Sequence, residues 1–386
     1  MAKNNLRETL ERAEAPSAEN SSKPDSPAKM KWGYVLKRAF SEFSQDGCTD
    51  LAAAMTYFSV SAVFPGLLAV VSLLGVFGQG EQTTQAITGF LEGRVPPELN
   101  ELLSGPINNL TSSTGGGIIA LLIGVATGLW TASGYVGALS RSMNRIYEVE
   151  EGRGFVKLKG TMLLVTLVVV VTVVLIFLMI LLSGGIAETV GNAIGLGSTA
   201  VTVWNIAKWP VILVLLMLMM AVLYYAAPNV KQPKFRWVSP GAIFAILGAI
   251  LAAGAFSIYA TQFATQTATY GVIGGVILGL LGVWIINNVI LLGAEIDAEV
   301  ERTRELQAGL PAEDMLQLPP RDVGTIVSRM EKEEKLMDQG RQMRLDSSSG
   351  LDYSEAGKDS EEGTAEVANF DDDAKEMLEQ HRRRDV

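Results

Sequence analysis

The sequence predicts an all-α integral membrane protein with six transmembrane helices, and three observations carry that expectation. Only 19% of the 386 residues are charged, against about a quarter in soluble domains. Charge-free windows long enough to cross a ~30 Å hydrocarbon layer occur six times. Lys and Arg collect in alternate connections between those windows. A water-soluble chain burying six such helices on all sides would need a far larger polar shell than this one supplies.

Residues 1–30 are polar, rich in Glu, Ser, Lys and Pro, and lack a cleavable apolar stretch, so a disordered segment without a signal peptide is expected. Between residues 31 and 47, Trp32, Leu36, Ala39, Phe40 and Phe43 recur at helical spacing beside Lys31, Lys37 and Arg38, and Gly47 supplies a stop. That pattern predicts an amphipathic helix lying in the membrane interface.

The first span is placed at Leu51 to Phe77. Its Val63-Phe64-Pro65-Gly66 predicts a kink or break, because proline removes a ladder hydrogen bond. The connection from Gly78 to Gly116 mixes apolar residues with Pro96, Pro97 and Pro106, and reads as short helices on the outer face. Gly117 to Ser140, Thr161 to Leu182 and Val203 to Ala227 follow as spans two to four. From Trp237 to Ala294 the chain is charge-free for 58 residues, too long for one crossing. It therefore divides into Val238 to Ala260 and Gly271 to Ala294 around a turn at Thr261 to Tyr270, which completes a membrane domain over residues 51–297.

The sixth helix is expected to continue to Gln307 and stop near Gly309 and Pro311. Residues 298–386 read as a cytoplasmic tail, largely disordered, with a short amphipathic helix from Asp322 to Met337. All the excess negative charge lies there: residues 299–386 hold 23 acids and 13 bases, and the rest of the chain holds 18 of each. Lys29, Lys31, Lys37, Arg38, then Arg141, Arg145, Arg153, Lys157, Lys159, then Lys231, Lys234, Arg236, then Arg302 and Arg304 mark one side of the membrane, which places both termini in the cytoplasm.

Small residues mark close helix contacts, since apolar burial drives little association in lipid. Such stripes are Ala120, Gly124, Gly128 and Ala132; Gly241, Ala245, Ala249 and Ala253; and Gly271, Gly275 and Gly279. Polar groups inside spans must be paired or solvated and are the best pointers to a substrate path. The candidates are Tyr57, Pro65, Trp130, Asn144, Arg145, Asn287, Asn288 and Glu295, with Trp284, Asn288, Leu291 and Glu295 on one face of the sixth helix. Interhelical pairing of Glu295 or Asn288, with Arg141 or Arg145 as partner, is the other expectation.

One cysteine, Cys48, and one histidine, His381, exclude an internal disulfide, a His-rich metal site and a Ser-His-Asp triad in a folded core. No catalytic residue, metal ligand or cofactor site is identified, and no basic, aromatic-interleaved surface suggests nucleic acid.

Four segments resemble the YihY or BrkB family of bacterial inner-membrane proteins: Ala52 to Pro65, Leu129 to Arg153, Tyr224 to Ala242 and Tyr270 to Glu299. Residues matching shared motifs include Tyr57, Phe64, Pro65, Trp130, Ser133, Asn144, Arg145, Pro228, Asn229, Pro240, Gly241, Tyr270, Gly271, Trp284, Gly293, Ala294 and Glu295. The resemblance implies a six-helix protein of the cytoplasmic membrane, linked to envelope integrity, serum resistance or export of lipid-like molecules. The family long carried a ribonuclease label, which one histidine does not support. The expected role is a transporter or flippase-like carrier of a lipid-like or small amphiphilic substrate. A non-transporting envelope scaffold is the alternative, and an intramembrane enzyme or ribonuclease ranks last. Membrane lipids and the amphiphile are the expected partners.

Overall fold

A computed structural model describes residues 11–13, 30–76, 117–182, 198–232, 237–264 and 271–348. Side chains at 63–76, 117–121, 181, 198, 261–264 and 271–273 are not described. The expectations for Gly78 to Gly116, most of residues 1–29 and the acidic end of the tail lie outside the described residues.

Among the described residues the secondary structure is helical, apart from one antiparallel bridge between Val230 and Pro320. The helices are α1 (Trp32–Gln45), α2 (Cys48–Val76), α3 (Gly117–Ile146), α4 (Phe155–Leu181), α5 (Ser198–Ala226), α6 (Pro240–Ala264), α7 (Gly271–Gln307) and α8 (Gly324–Ser348). Five segments within them are long and apolar enough to cross a membrane: Leu122–Ile146, Phe155–Ile180, Thr199–Ala226, Pro240–Ala260 and Gly274–Gln307. They fall on predicted spans two to six, and α2 covers the predicted first.

Local sequence accounts for the ends. Gly47 adopts φ +63 between α1 and α2, and Gly309 adopts φ +81 just beyond α7. Both sit where a left-handed residue ends a helix, which glycine does without a Cβ penalty. Pro240 opens α6 at the first helical position, where no N–H is needed. Ser239 caps it by accepting a bond from the Ala242 N–H at 3.0 Å. Helix α2 runs through Pro65 without interruption, so the chain does not break there. Helix α6 continues to Ala264, so the expected turn from Thr261 begins later than the sequence suggested.

The start of α2, the end of α3, the start of α4, the end of α5, the start of α6 and the end of α7 gather at one end of the bundle. The buried core sits there, around Met55, Leu139, Met143, Leu223, Ala227, Leu291 and Ala294. Farther along α4, α5 and α6 large aliphatic side chains are exposed, among them Leu164, Leu167, Val214, Ile250 and Leu251. Aliphatic surface of that kind suits hydrocarbon, where backbone polar groups are already satisfied inside each helix. Helix α1 buries Val35 and Ala39 against Ile296 and Val300 of α7, so the segments flanking α2 and α7 meet at the same end.

The tail expectation needs correction over its first part. Ala312, Leu316 and Leu318 are buried, and residues 316–325 join the helical body instead of ranging free. The helix expected from Asp322 to Met337 is α8, two residues later at its start and longer at its end.

Candidate functional site

Of the candidate path residues, Asn287 and Glu295 lie on the seam where α7 meets α2 and α3. Asn287 is 2% exposed and donates from Nδ2 to Thr56 Oγ1 of α2 at 3.0 Å. Its Oδ1 accepts from the Tyr135 hydroxyl of α3 at 3.2 Å. One amide thus ties three helices through a hydrogen-bond chain. Two turns toward the packed end, Glu295 is fully buried and its Oε1 accepts from Cys48 Sγ at 3.4 Å. Cys48 is therefore the partner that sequence reading assigned to Arg141 or Arg145. Arg145 instead lies 3.7 Å from Asp46, and the Arg141 guanidinium sits over the Phe58 ring.

The same face of α7 continues into a charged column. Arg302, 1% exposed, pairs with Glu299 at 2.9 Å and Glu148 at 2.7 Å, and donates to Ala312 O at 3.0 Å. Arg38 of α1 approaches Glu299 at 3.3 Å. Glu299 and Arg302 thus each face an opposite charge, as burial requires.

Other candidates serve elsewhere. Asn288 donates to Trp284 O of its own helix at 2.8 Å, and Trp284 donates to Thr49 O at 3.1 Å. Tyr57 and Trp130 point outward from the bundle. Pro65 lies among residues whose side chains are not described.

Asn144 belongs to a polar joint. It accepts from the Asn229 backbone N–H at 2.7 Å and donates to Glu151 at 3.0 Å. Asn229 donates to Glu150 O and Asp322 O, and Arg321 donates back to Asn229 O at 2.9 Å. Arg153, nearly fully buried, forks onto Glu151 at 2.7 Å and donates to Ser140 Oγ and to Ala227 O. Pro228 is buried between these groups, just past α5, where its ring prevents the helix from continuing. The joint binds the connections after α3 and α5 to the segment before α8. Sequence reading counted Arg153 only as a topology charge, and Glu151, Glu299 and Arg302 carried no signal beyond that.

A second joint holds α6 against α7. Asp297 accepts from the Gly241 N–H at 2.8 Å and from Ser239 Oγ, capping α6 with a carboxylate where the helix dipole favours one. The Gly241 and Gly293 backbones touch, the Gly248 position faces Val289, and that of Gly282 faces Phe256. The stripe at Gly241 and Ala245 is thus a close contact. Gly279 makes no such contact, since a Cβ there meets nothing within 4 Å. Gly279 lies some ~40–80° around α7 from the face that carries Gly282, Val289 and Gly293, at about 100° per residue.

Among the described residues outside the apolar spans, two carboxyls have shifted acidity. Burial pushes Asp46 up to about 6, Arg145 pulls against it, and Glu42 and Glu148 add to the rise. The folded chain holds this proton more tightly than an unfolded chain does. Stability from this corner is therefore full below the ordinary value of 3.8 and declines as pH rises toward about 6. Asp46→Asn is expected to flatten that part of the thermal-unfolding profile in detergent; the same slope in the variant would refute the assignment. Asp322 is resisted by burial, yet hydrogen bonds from Lys157 and the Gly324 N–H hold its carboxyl below the usual range.

Long apolar helices with exposed aliphatic faces, pinned at one end by paired buried charges, define a multi-pass membrane protein. The chain belongs to the BrkB family: the family model described as Virulence factor BrkB matches residues 39–315. A ribonuclease-like protein of Bacillus subtilis (strain 168), YfkH, is 30% identical over 271 residues, covering 70% of this chain and 96% of that one. UPF0761 membrane proteins of Alcanivorax borkumensis and Chromohalobacter salexigens are 28% and 26% identical, over 70% and 72% of this chain. The aligned regions span 61% and 66% of those two proteins' own lengths. No solved structure matches the chain. With the five apolar helices, these likenesses make it a multi-pass bacterial membrane protein.

Proposed function

We propose that this chain is a carrier of a lipid-like or small amphiphilic substrate in the cytoplasmic membrane, linked to envelope integrity, with α2 to α7 as six crossings and both termini cytoplasmic. One observation supports this reading above others: three in-span polar side chains, Thr56, Tyr135 and Asn287, meet on one seam that links α2, α3 and α7, with Cys48–Glu295 at its packed end. Polar groups in hydrocarbon are costly and cluster where a passage needs them. The arrangement is then a closed one. Opening parts α2 from α7, exchanging the Asn287 and Glu295 contacts for substrate or water, with a bend at Pro65 and Gly66 giving α2 its freedom.

Purified protein in proteoliposomes tests this through scrambling of a fluorescent phospholipid and release of a trapped amphiphile. Asn287→Ala and Glu295→Gln are expected to reduce flux strongly while the protein still inserts. Wild-type flux in both variants would sink the carrier.

A non-transporting scaffold is the second reading, favoured by the docking of residues 316–325 onto the joint through Asn229, Glu151 and Gly152. Removing residues 349–386 leaves α8 in place. If partners are recruited through the acidic end, that deletion is expected to reproduce the envelope defect of a null strain; full retention of the phenotype would remove the tail from this reading. We assign no catalytic role. The ribonuclease-like name belongs to the Bacillus relative, and with His381 alone no His-rich metal nuclease centre can be assembled here.

A further inference from the structure

We propose that the surface where α3 meets α4 binds the phosphate headgroup of an anionic phospholipid through Lys159 and Arg141. The proposal concerns a fixed lipid site and holds whether or not the protein moves a substrate.

Lys159 Nζ lies 4.0 Å from the centroid of the Trp130 ring and donates to Ser133 Oγ at 2.6 Å. The Arg141 guanidinium lies 5.9 Å from the Phe58 ring centroid and reaches back along α3, with Nη1 3.6 Å from where a Gly137 Cβ would stand. Ser133 and Gly137 are one turn apart on the same face, roughly 6 Å of rise. Phe58 also packs against Gly134 of α3. The two basic groups therefore sit side by side, each resting on an aromatic face that attracts cations.

Neither has a carboxylate partner among the described residues. Five other cations at this end, Arg38, Arg145, Arg153, Lys157 and Arg302, each meet a carboxylate. Two adjacent cations at a membrane helix boundary, without an internal counter-ion, call for an external anion. A phosphodiester offers oxygens to both through charge-assisted hydrogen bonds.

The surroundings favour a lipid over a free anion. At about 100° per residue, Val170 of α4 lies within ~20° of Lys159 and Ile123 of α3 within ~20° of Trp130; both are exposed and apolar, and Trp130 is exposed beside Lys159. A headgroup at Lys159 and Arg141 lets acyl chains run along that face, and indole rings settle at the headgroup level. Basic pockets between helices are a recurrent way of holding anionic headgroups.

Native mass spectrometry of the full chain in detergent, titrated with phosphatidylglycerol, phosphatidylcholine or inorganic phosphate, tests the site. Wild type is expected to retain phosphatidylglycerol in preference to phosphatidylcholine. Lys159→Gln combined with Arg141→Gln is expected to weaken that retention on the order of tenfold, and Lys159→Arg to keep it. Equal retention by wild type and the double variant would overturn the proposal. So would the absence of a headgroup preference in wild type, a measurement that needs no variant, or displacement of the lipid by millimolar phosphate, which would mark a soluble-anion site.

Discussion

Replacing Arg302 by leucine is expected to destabilise the protein by roughly 3–5 kcal/mol, the cost of leaving buried carboxylates without their cation. The side chain is 1% exposed and faces two carboxylates, Glu299 and Glu148, on different elements. Its third contact, to Ala312 O at 3.0 Å, fixes the chain just beyond α7. Glu299 is itself 1% exposed and keeps only Arg38 at 3.3 Å when Arg302 is gone. Glu148 is 28% exposed at its side chain, so water relieves part of its loss. Arg302→Lys keeps the charge but not the planar fork that serves three acceptors at once, so it should fall between wild type and leucine. Adding Glu299→Gln to Arg302→Leu should recover part of the loss, because the two groups are in contact and their effects do not add. Thermal unfolding in detergent ranks the four proteins. A leucine variant as stable as wild type, or a double variant no better than the single, would show that the column does not hold this end together.

The contrast between what the chain announced and what it concealed follows from what hydropathy measures. A charge-free window reports that a segment must avoid water, and the helices α3 to α7 lie on such windows with ends shifted by a few residues. Gly47, Gly309 and Pro240 were legible because backbone conformation at a helix end is a local matter. Partners are not local. Asn144 and Asn229 are 85 residues apart, and Asn229 and Asp322 are 93 apart, so no spacing rule joins them. Glu151, Arg153, Glu299 and Arg302 sit in charged stretches that look solvated in sequence, yet Arg153, Glu299 and Arg302 are buried. Several motif residues, Asn144, Pro228, Asn229, Pro240 and Gly241, stand in the two joints and not on the seam. The seam itself was half legible: Asn287 and Glu295 stood out as polar groups in an apolar helix, but their partners Thr56, Tyr135 and Cys48 look ordinary in theirs.

Gly241→Ala is expected to do still more damage than its single methyl group suggests, because the obstacle is backbone. A Cβ at residue 241 would stand 1.9 Å from Gly293 O and 2.7 Å from Asp297 Cγ. No rotamer change clears a carbonyl, so α6 and α7 must move apart. That separation breaks the bond from the Gly241 N–H to Asp297 at 2.8 Å and with it the carboxylate cap of α6. Gly293→Ala meets the same wall from the other side, with Gly241 O at 2.6 Å and the Tyr224 hydroxyl at 2.7 Å. That hydroxyl holds Ile290 O at 2.5 Å, so a third helix, α5, is drawn into the disturbance. Overpacking typically costs 1–3 kcal/mol, and here lost hydrogen bonds add to it, so about 3 kcal/mol or more is expected. Gly254→Ala on α6 and Gly279→Ala on α7 provide matched controls, since a Cβ at either position meets nothing within 4 Å. They remove a helix glycine without a clash and should be neutral or slightly stabilising. Size-exclusion profiles and thermal unfolding in the same detergent separate the outcomes. If all four alanine variants behaved alike, the close crossing of α6 and α7 would not be what orders this end of the bundle.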